Sequence, residues 1–519
     1  MDDFCIFSFF LDDIAQFFES SRIIFTLVMA GTQVVSLQLN VGNLMSDSVS
    51  PPMKVAPRTT FFGLLALLIT IESLSGVVQG FLNPILPALG PVFQVDAPTI
   101  NGIFLISNVS FAVLTPLISR LGDSFGYKRV LLVSTLFVAA GVMLMAFAPS
   151  LIVLILGVIL ITCVVGFIPL MMGILRLTHP DETRRGVSYL IGTLMVMVGI
   201  GGLIAGILGA VDPLRGFMIG IPFALAAIVC SFFLPEVPKP EKEPMAIVPM
   251  VSCLTGIVLF IAGLAMAPDW GWASIKTLSS VFIGTGLLVL WAFLDCRAED
   301  TVRRFTDLRM FKLRSVRSVS IATFFFGFAS VSYFGTNGLI LNADRDSTGY
   351  GFGLSSSSIA LVLALTSVFS LFSSLGAGQM MNRISERSAL VFSGLLLASG
   401  FLVFYFAGQS LAGYLIGFSI FNLALGAYQS ATRALSVEGV PVEETSSAAG
   451  INELALSVGI ACGAAVIKML SSMNVDAGGA ITTSGIQLIW AVLAGGSVIA
   501  AVAGSRYPKR QFTRPTRLA

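Results

Sequence analysis

Apolar runs of about twenty residues recur along this chain from Phe61 onward, separated by short polar breaks. A run of that length crosses the ~30 Å hydrocarbon core of a bilayer as one α-helix. Because no water is available there to bond the backbone, such runs form helices, which satisfy their own backbone groups. The sequence therefore predicts an all-α polytopic membrane protein with fourteen transmembrane helices. The predicted spans are residues 61–82, 98–119, 128–148, 151–175, 187–210, 214–234, 246–267, 278–296, 316–341, 354–378, 388–407, 411–432, 446–467 and 485–504.

Composition excludes several classes of protein. Charged residues make up 11% of the 519 residues, against about 25% in an average soluble domain. The formal net charge of +2 provides no basic surface for nucleic acid. One histidine and six cysteines without ligand spacing predict no metal site. The sequence contains no Walker motif and no credible Ser/His/Asp set, so we predict no cofactor, no use of ATP and no enzyme activity.

The positions of lysine and arginine predict the orientation of the chain. When the first helix starts in the cytoplasm, the large basic clusters, such as the one from Arg297 to Arg317, all fall on the cytoplasmic side. Both termini are then cytoplasmic. The basic residues assigned to the outer side are Arg215, Lys276, Arg345 and Lys468.

An internal repeat divides the chain. The segment from Gly378 to Arg387 reproduces, at matching offsets, the small, apolar, Asp/Asn and Lys/Arg residues of the segment that starts at Ser119. Two repeats of six helices with two helices inserted between them give a 6+2+6 arrangement. The predicted parts are a disordered N-terminal extension at 1–57, a six-helix bundle at 58–237, a two-helix insertion at 238–300, a basic cytoplasmic linker at 301–315, a second six-helix bundle at 316–505 and a basic cytoplasmic tail at 506–519.

A charged segment between the second and third apolar runs has a spacing of residues that resembles a loop of a known protein family. From Ser119 to Arg129 it reads Ser-Arg-Leu-Gly-Asp-Ser-Phe-Gly-Tyr-Lys-Arg. We predict a tight turn in which Gly122 and Gly126 allow the bend. The spacing resembles the loop between helices 2 and 3 of the major facilitator superfamily, and that resemblance implies the major facilitator fold.

The resemblance also implies a role for this loop. It implies that Asp123 lies against the start of a helix in the opposite half, near Ser446, and locks the inner gate, since a helix N-terminus attracts an anion. Ser124 replaces the basic residue that the family usually has after this aspartate. The alternative is that the charges only hold the loop inside. The gating residues that the resemblance implies in this loop are Asp123, Gly126, Lys128 and Arg129.

Further segments resemble the fourteen-helix drug:proton antiporter branch of that superfamily, over roughly residues 60–505. Gly201, Gly202 and Gly206 in the fifth run are similar to its Gly-Pro-x-x-Gly-Gly motif, and small residues at this spacing let two helices pack closely. Two positions depart from the branch. Thr162 stands where the fourth helix usually has an arginine, and Val78 stands where the first helix commonly has an aspartate.

Polar residues inside the predicted spans are candidates for the site. A lone carboxylate at mid-membrane costs at least ~2.5 to 3.5 kcal/mol, so it persists where it faces a cavity, is paired or binds a proton. Glu72 lies near the centre of the first span, with Gln79 and Asn83 on the same helical face. We predict that this stripe lines a cavity. The alternative is a packing seam with a permanently protonated glutamate.

The second half contributes a similar set. Asn422, Gln429 and Arg433 share one face of the twelfth span, and Glu453 lies about two turns inside the thirteenth. We predict that Asn422, Gln429 and Glu453 take part in proton coupling or substrate binding and that Arg433 takes part in gating. An ion pair between Arg433 and Glu453 at the cytoplasmic mouth is the alternative.

These features predict a proton-coupled secondary transporter that exports lipophilic or cationic small molecules, as in drug or natural-product efflux. Two halves would rock about a midplane cavity, where Glu72 binds a proton from outside and releases it when substrate displaces it. We expect a monomer in the cell (inner) membrane, with substrate, protons and the lipid bilayer as its partners. A proton symporter that imports a nutrient and a lipid or glycolipid flippase are the alternative functions.

Overall fold

The computed structural model describes residues 60–95, 97–237, 247–297, 308–345, 349–438, 440, 444–475 and 481–508. The chain divides into Met1–Gly63, of which residues 60–63 are described, and a second unit, Leu64–Ala519, whose contacts are given below. The predicted extension at 1–57, the first part of the predicted linker (301–307) and the end of the predicted tail (509–519) lie outside the described residues.

Helices make up nearly all of the described chain, because a helix lets the polar backbone groups of an apolar segment bond to one another. Two helices are interrupted, α4 by a 3₁₀ turn at Thr162–Gly166 and α9 by a π-helical turn at Gly327–Val331. The long helices are α1 Phe61–Ile85, α2 Ala97–Phe125, α3 Tyr127–Ala146, α4 Leu151–Thr178, α5 Thr183–Gly209, α6 Gly220–Phe233, α7 Ile247–Trp270, α8 Ile275–Arg297, α9 at 314–342, α10 Ser356–Arg383, α11 Glu386–Ala407, α12 Leu411–Ser436, α13 Thr445–Met473 and α14 Thr483–Ser505.

Twelve helices among the described residues are long and apolar enough to cross a membrane. They comprise all of the long helices except α2 and α9. The chain is thus an all-helical membrane protein with twelve candidate spans in the described residues, and the predicted count of fourteen stays a prediction. Several helices extend past their predicted spans. For example, α13 ends at Met473 rather than near residue 467, because the helix continues into polar sequence that hydropathy does not mark.

The turn between α2 and α3 is sharper than the sequence predicts. Helix α2 continues to Phe125, and Gly126 alone makes the turn with φ of 95°, a conformation that glycine adopts at little cost. The predicted role of Gly122 in the bend is wrong, because that residue is helical. Gly122 instead permits close packing, since a Cβ there would lie 2.2 Å from Leu170 Cδ2.

Helices α1 and α5 approach closely through glycines. A Cβ on Gly80 would lie 2.2 Å from the carbonyl oxygen of Val198, and a Cβ on Gly201 would lie 2.7 Å from the Cα of Val77. Gly202 also faces Gly80, whereas Gly206 makes only ordinary contacts. The first two glycines of the predicted antiporter-like motif therefore lie at the α1/α5 contact, which positions the helix that carries Glu72.

Helices α7 and α8 form a hairpin that covers the line where α2 meets α13. Buried residues Cys253 and Ile257 of α7 and Trp291 of α8 form one apolar cluster with Ala112 of α2. Leu454 of α13 packs against the same cluster. Helices α1 to α6 are called the N-terminal group below, and helices α9 to α14 are called the C-terminal group. The hairpin thus contacts one helix of each group, α2 and α13.

Aromatic packing fixes α12 within the C-terminal group. The rings of Phe326 in α9 and Tyr428 in α12 stack with centroids 4.6 Å apart, and the Tyr428 hydroxyl donates to the carbonyl of Ala500 in α14. Both rings are fully buried. Stacked rings add to the stabilisation from their buried area. The next turn of α12, which carries Gln429 and Arg433, is thereby held in a defined orientation.

The α1/α5 contact yields a test by substitution. We expect Gly80→Ala to lower the apparent melting temperature of the purified protein by several degrees, because its Cβ meets backbone atoms that cannot move aside. Gly376→Ala is the matched control, since a Cβ there has no neighbour within 4 Å and alanine favours a helix. Thermal unfolding in detergent measures both. An equal melting temperature for the two variants would contradict the packing role of Gly80.

Candidate functional site

A buried aspartate joins the two groups at the inner end, defined here as the end with the α2–α3 turn, which the charge pattern assigns to the cytoplasm. Asp123 Oδ1 accepts hydrogen bonds from the backbone N–H of Ser446 (3.2 Å) and the hydroxyl of Tyr127 (2.9 Å). Asp123 Oδ2 accepts from the backbone N–H of Ser447 (2.7 Å) and from its hydroxyl. The first N–H groups of α13 have no partner inside the helix, so this carboxylate satisfies them.

Two arginines extend the contact at the inner end. Arg120 is 2% exposed, and its Nη1 lies 3.4 Å from Glu444 Oε2 just before α13. Arg176, at the inner end of α4, donates to the carbonyl of Val440 (2.6 Å) and the hydroxyl of Thr445 (3.0 Å). Both arginines lie in the N-terminal group and all of these partners belong to the connection before α13 or to its first turn. Neither arginine is among the site residues that the sequence predicts, because a basic residue near a helix end is ordinary at the cytoplasmic side.

A second cross-group contact is centred on Arg184, in the first turn of α5. Its Nε and Nη2 donate to the two carboxylate oxygens of Glu438, with an Nη2–Oε2 distance of 2.7 Å. Nη2 also donates to Glu386 Oε1 at 2.6 Å, and Nη1 donates to Asn382 Oδ1 at 3.1 Å. One guanidinium therefore holds three side chains of the C-terminal group, from α10, from α11 and from the connection that follows α12.

The internal repeat relates these two contacts. Asn382 occupies in the second repeat the place of Asp123 in the first, and each lies against a helix start in the other group, α5 and α13 respectively. Sequence reasoning did not identify Arg184, Glu386 or Glu438. The repeat does contain a signal for Arg184, because it pairs α5 with α13. A role for the start of α13 therefore predicts a matching role for the start of α5.

A polar cavity of about 650 Å³ lies beside the Arg184 contact. Its walls carry charges of both signs together with aromatic and hydroxyl side chains. They include Arg176, Arg184, Glu386, Glu438, Ser315 and Tyr507. Glu72 does not line this cavity, so it is distinct from the midplane cavity that the sequence predicts.

The other predicted gating residues of the loop lie beside these contacts. Gly126 forms the turn itself. Lys128 is half-buried and Arg129 is exposed, and neither belongs to the cross-group hydrogen bonds described above. Their gating roles stay predictions.

Glu72 is fully buried on α1. Among the described residues neither of its carboxyl oxygens has a hydrogen-bond partner. The hydroxyl of Ser75, one turn later, lies close to the carboxyl but accepts a hydrogen bond from Gln79 Nε2 at 2.9 Å. The side chain of Asn83 lies outside the described set. The predicted polar stripe on α1 is thus present at Glu72 and Gln79, inside the protein.

Arg433 and Glu453 form a buried ion pair between α12 and α13. Arg433 Nη2 donates to Glu453 Oε2 at 2.9 Å, and Nε lies 2.6 Å from Oε1. The Nη1 group donates to Gln429 Oε1 at 2.5 Å. The side chains are 9% and 7% exposed, so water screens their charges little. An ion pair between these two residues is thus present, as the alternative interpretation of the sequence predicts, and it brings together Arg433, Glu453 and Gln429, whereas its predicted place at the cytoplasmic mouth stays a prediction.

This ion pair lies across the group boundary from Glu72. Arg433 and Glu453 both act electrostatically on the Glu72 carboxyl. The packing agrees, because Gly76, one turn after Glu72, lies against Leu194 and Met197 of α5, and Met195 on the same turn contacts Gln429 Nε2 at 4.0 Å. Helices from both groups thus bring two carboxyls and one guanidinium into a common interior region.

Two further positions stand apart from this region. Asn422 donates to the carbonyl of Phe418 (2.9 Å) and its own carbonyl accepts from Ser370 of α10 (2.8 Å), which joins α10 to α12. Thr162, which replaces the expected arginine, starts the 3₁₀ turn in α4 and donates to the carbonyl of Ile159. Asn422 thus links two helices of the C-terminal group, and its predicted part in substrate binding or proton coupling stays a prediction.

Comparison with known proteins defines the relatives of this chain. Residues 68–246 and 319–518 match the Major Facilitator Superfamily. The multidrug efflux pump LfrA of Mycolicibacterium smegmatis is 24% identical over 434 residues, covering 80% of this chain and 82% of that protein. The probable actinorhodin transporter of Streptomyces coelicolor is 25% identical over 443 residues, covering 81% and 73%. The crystal structure of the human organic anion transporter MFSD10 aligns with a TM-score of 0.62 at 16% identity, over 85% of this chain and 98% of that one, which establishes the fold.

The inner-end contacts predict a difference between two neighbouring arginines. We expect Arg184→Gln to destabilise the protein by on the order of 3 kcal/mol, because Glu386 and Glu438 lose the guanidinium that compensates them. Arg185→Gln is the control, because Arg185 is 48% exposed and its pairing with Glu182 is worth less than about 1 kcal/mol. Apparent melting temperatures of the purified variants give the comparison. Equal stability of the two variants would contradict the role given to Arg184.

Proposed function

This chain belongs to the Major Facilitator Superfamily and is a transporter rather than an enzyme, and we propose that it couples proton uptake to the export of lipophilic or cationic small molecules by alternating access. The observation that carries the proposal is Glu72, a fully buried carboxyl whose oxygens have no hydrogen-bond partner among the described residues. Relatives named as a multidrug efflux pump and a probable actinorhodin transporter support export of small molecules.

The environment of Glu72 explains why it would carry a proton. A buried carboxylate without hydrogen bonds or a compensating partner costs several kcal/mol. The nearby guanidinium of Arg433 does not compensate it, because it is already paired with Glu453. Glu72 therefore holds a proton in this conformation, and releases it when water or cargo reaches the carboxyl in another.

Charge balance supports a cationic or neutral cargo. With Glu72 protonated, the region contains one positive and one negative side chain, Arg433 and Glu453. Loss of the proton leaves one uncompensated negative charge. A monovalent cation that enters the region restores neutrality just as the proton does, so the two would bind in alternation.

Alternating access requires an inner end that closes and opens. In this conformation the contacts of Asp123, Arg176 and Arg184 bridge the two groups at that end. Each joins a side chain of the N-terminal group to a helix end of the C-terminal group. Because these contacts are hydrogen bonds and ion pairs at the rim of the interior, water replaces them when the groups separate. We infer that they hold the closed state of an inner gate.

We further propose that the chain has fourteen spans in a 6+2+6 arrangement, cytoplasmic termini and a place in the cell (inner) membrane as a monomer. The first segment that matches the superfamily ends at residue 246, just before α7, and the second begins at residue 319, after α8. Both helices of the hairpin therefore lie outside the match, which supports an insertion. Helix α2, with 29 residues, and α9 are long enough to supply the two spans beyond the twelve.

The test is transport by purified protein in lipid vesicles with an imposed pH gradient. Ethidium serves as a lipophilic cation. Its movement in the direction opposite to the flow of protons is followed by fluorescence, with and without an uncoupler. We expect Glu72→Gln to reduce proton-driven ethidium transport at least tenfold, because an amide cannot exchange the proton. Glu236→Gln, the same chemical change at an exposed position after α6, should leave transport unchanged.

The outcomes separate the proposed function from its alternatives. Full transport by the Glu72→Gln protein would remove Glu72 from the mechanism. Movement of a solute together with protons, rather than against them, would favour a symporter that imports its substrate. Scrambling of a fluorescent phospholipid without ethidium transport would favour a flippase.

A further inference from the structure

The Arg433–Glu453 ion pair is not needed by the proposed exchange at Glu72, yet it lies inside the protein where charges are costly. Burying an ion pair gives little or no net stability compared with apolar residues of the same size. We propose that Arg433 and Glu453 are positioning residues that set the pH at which Glu72 gains and loses its proton, and so match the transport cycle to its working pH. This inference rests on the proposed function, because it acts through Glu72.

The first step is geometric. Arg433 is held on three sides, by two atoms of Glu453 and by Gln429 Oε1. Gln429 in turn contacts Met195 of α5 at 4.0 Å, and α5 packs on α1 at Gly76, one turn from Glu72. The guanidinium is thus fixed in place on the C-terminal side of the boundary, at a set position relative to the carboxyl on the N-terminal side.

The second step is an inventory of the charges that face Glu72. From α12 comes Arg433, and from α13 comes Glu453. Helix α5, packed on the same stretch of α1, presents Leu194 and Met197, which do not titrate. On α1 itself the polar neighbours are Ser75 and Gln79, which are neutral. The described charges of Asp123 and Arg120 belong to the inner-end contacts instead.

The third step is the sign of the effect. In the intact pair the negative charge of Glu453 offsets part of the positive charge of Arg433 at Glu72, and the effect of Arg433 is the larger of the two. Removing the charge of Glu453 leaves the guanidinium uncompensated, and a nearby positive charge favours the ionised carboxyl. Glu72 would then lose its proton at a lower pH. Removing Arg433 as well takes away that attraction, so Glu72 would keep its proton up to the wild-type pH or above it.

The experiment is an infrared titration of the purified full-length protein, which needs no transported substrate. The protonated Glu72 carboxyl is followed by its C=O stretching band as pH is varied, and the band is assigned by its loss in Glu72→Gln. We expect Glu453→Gln to move the midpoint of this band toward acid by about one pH unit or more. The double variant Glu453→Gln with Arg433→Gln should reverse the acid shift and bring the midpoint to the wild-type value or above it, because neither charge of the pair remains.

The return in the double variant separates a positioning role from a structural one. Glu453→Gln keeps an oxygen that accepts from Arg433 Nη2, so the fold is preserved, and apparent melting temperatures check this. Glu453→Met, which fills a similar volume without charge, repeats the test if the glutamine variant is unstable. Arg433→Lys, which keeps the charge, should leave the midpoint near that of wild type.

The results distinguish this inference from the proposed function. An unchanged midpoint in both Glu453 variants, or a shift that persists in the double variant, would overturn the inference while leaving Glu72 as the proton carrier. Proton-driven ethidium transport by Glu72→Gln would instead overturn the proposed function, whatever the titration shows. The same acid shift in the pH dependence of ethidium transport would support both.

Discussion

The binding of a buried carboxylate by the free N–H groups of a helix is the interaction on which the closed inner end depends. Asp123 satisfies the start of α13 with both of its oxygens, and the interaction of an anion with a helix N-terminus is worth about 0.3 to 1 kcal/mol and up to ~2 kcal/mol when partly buried. The α2–α3 turn that follows Asp123 is made by Gly126 alone. Asp123 is presented by the last turns of α2, and the conformation of Gly126 places Tyr127, which donates to Asp123, at the start of α3.

The internal repeat makes this contact one of a related pair. In the second repeat the corresponding loop places Asn382 and Glu386 against Arg184 at the start of α5. The first contact uses the partial charge of a helix end, and the second uses a full ion pair. Both lie at the rim of the interior. Glu72 differs from both contacts, because its carboxyl is fully buried and neither water nor a helix end compensates it.

The sequence alone identifies a site residue when its own segment makes it unusual. Glu72 was identified because a carboxyl in an apolar run needs an explanation, and Asp123 because its loop resembles a known one. The Arg184 contact was missed, because Arg184, Glu386 and Glu438 each lie in polar sequence near a helix end, where a charge is ordinary. Only the fold brings them together. Gly122 was misassigned for a similar reason: a glycine beside a turn resembles a bending residue until its packing against Leu170 is known.

The hairpin of α7 and α8 makes the two flanks of the molecule different. On one flank the hairpin covers the line between α2 and α13 with apolar side chains such as Ile257 and Trp291. On the other flank α5 and α10 meet directly, with Gly199 against Ser367. The hairpin therefore adds a second layer of helices over the line between α2 and α13. The similarity of the two repeats therefore does not extend to the helices that cover them.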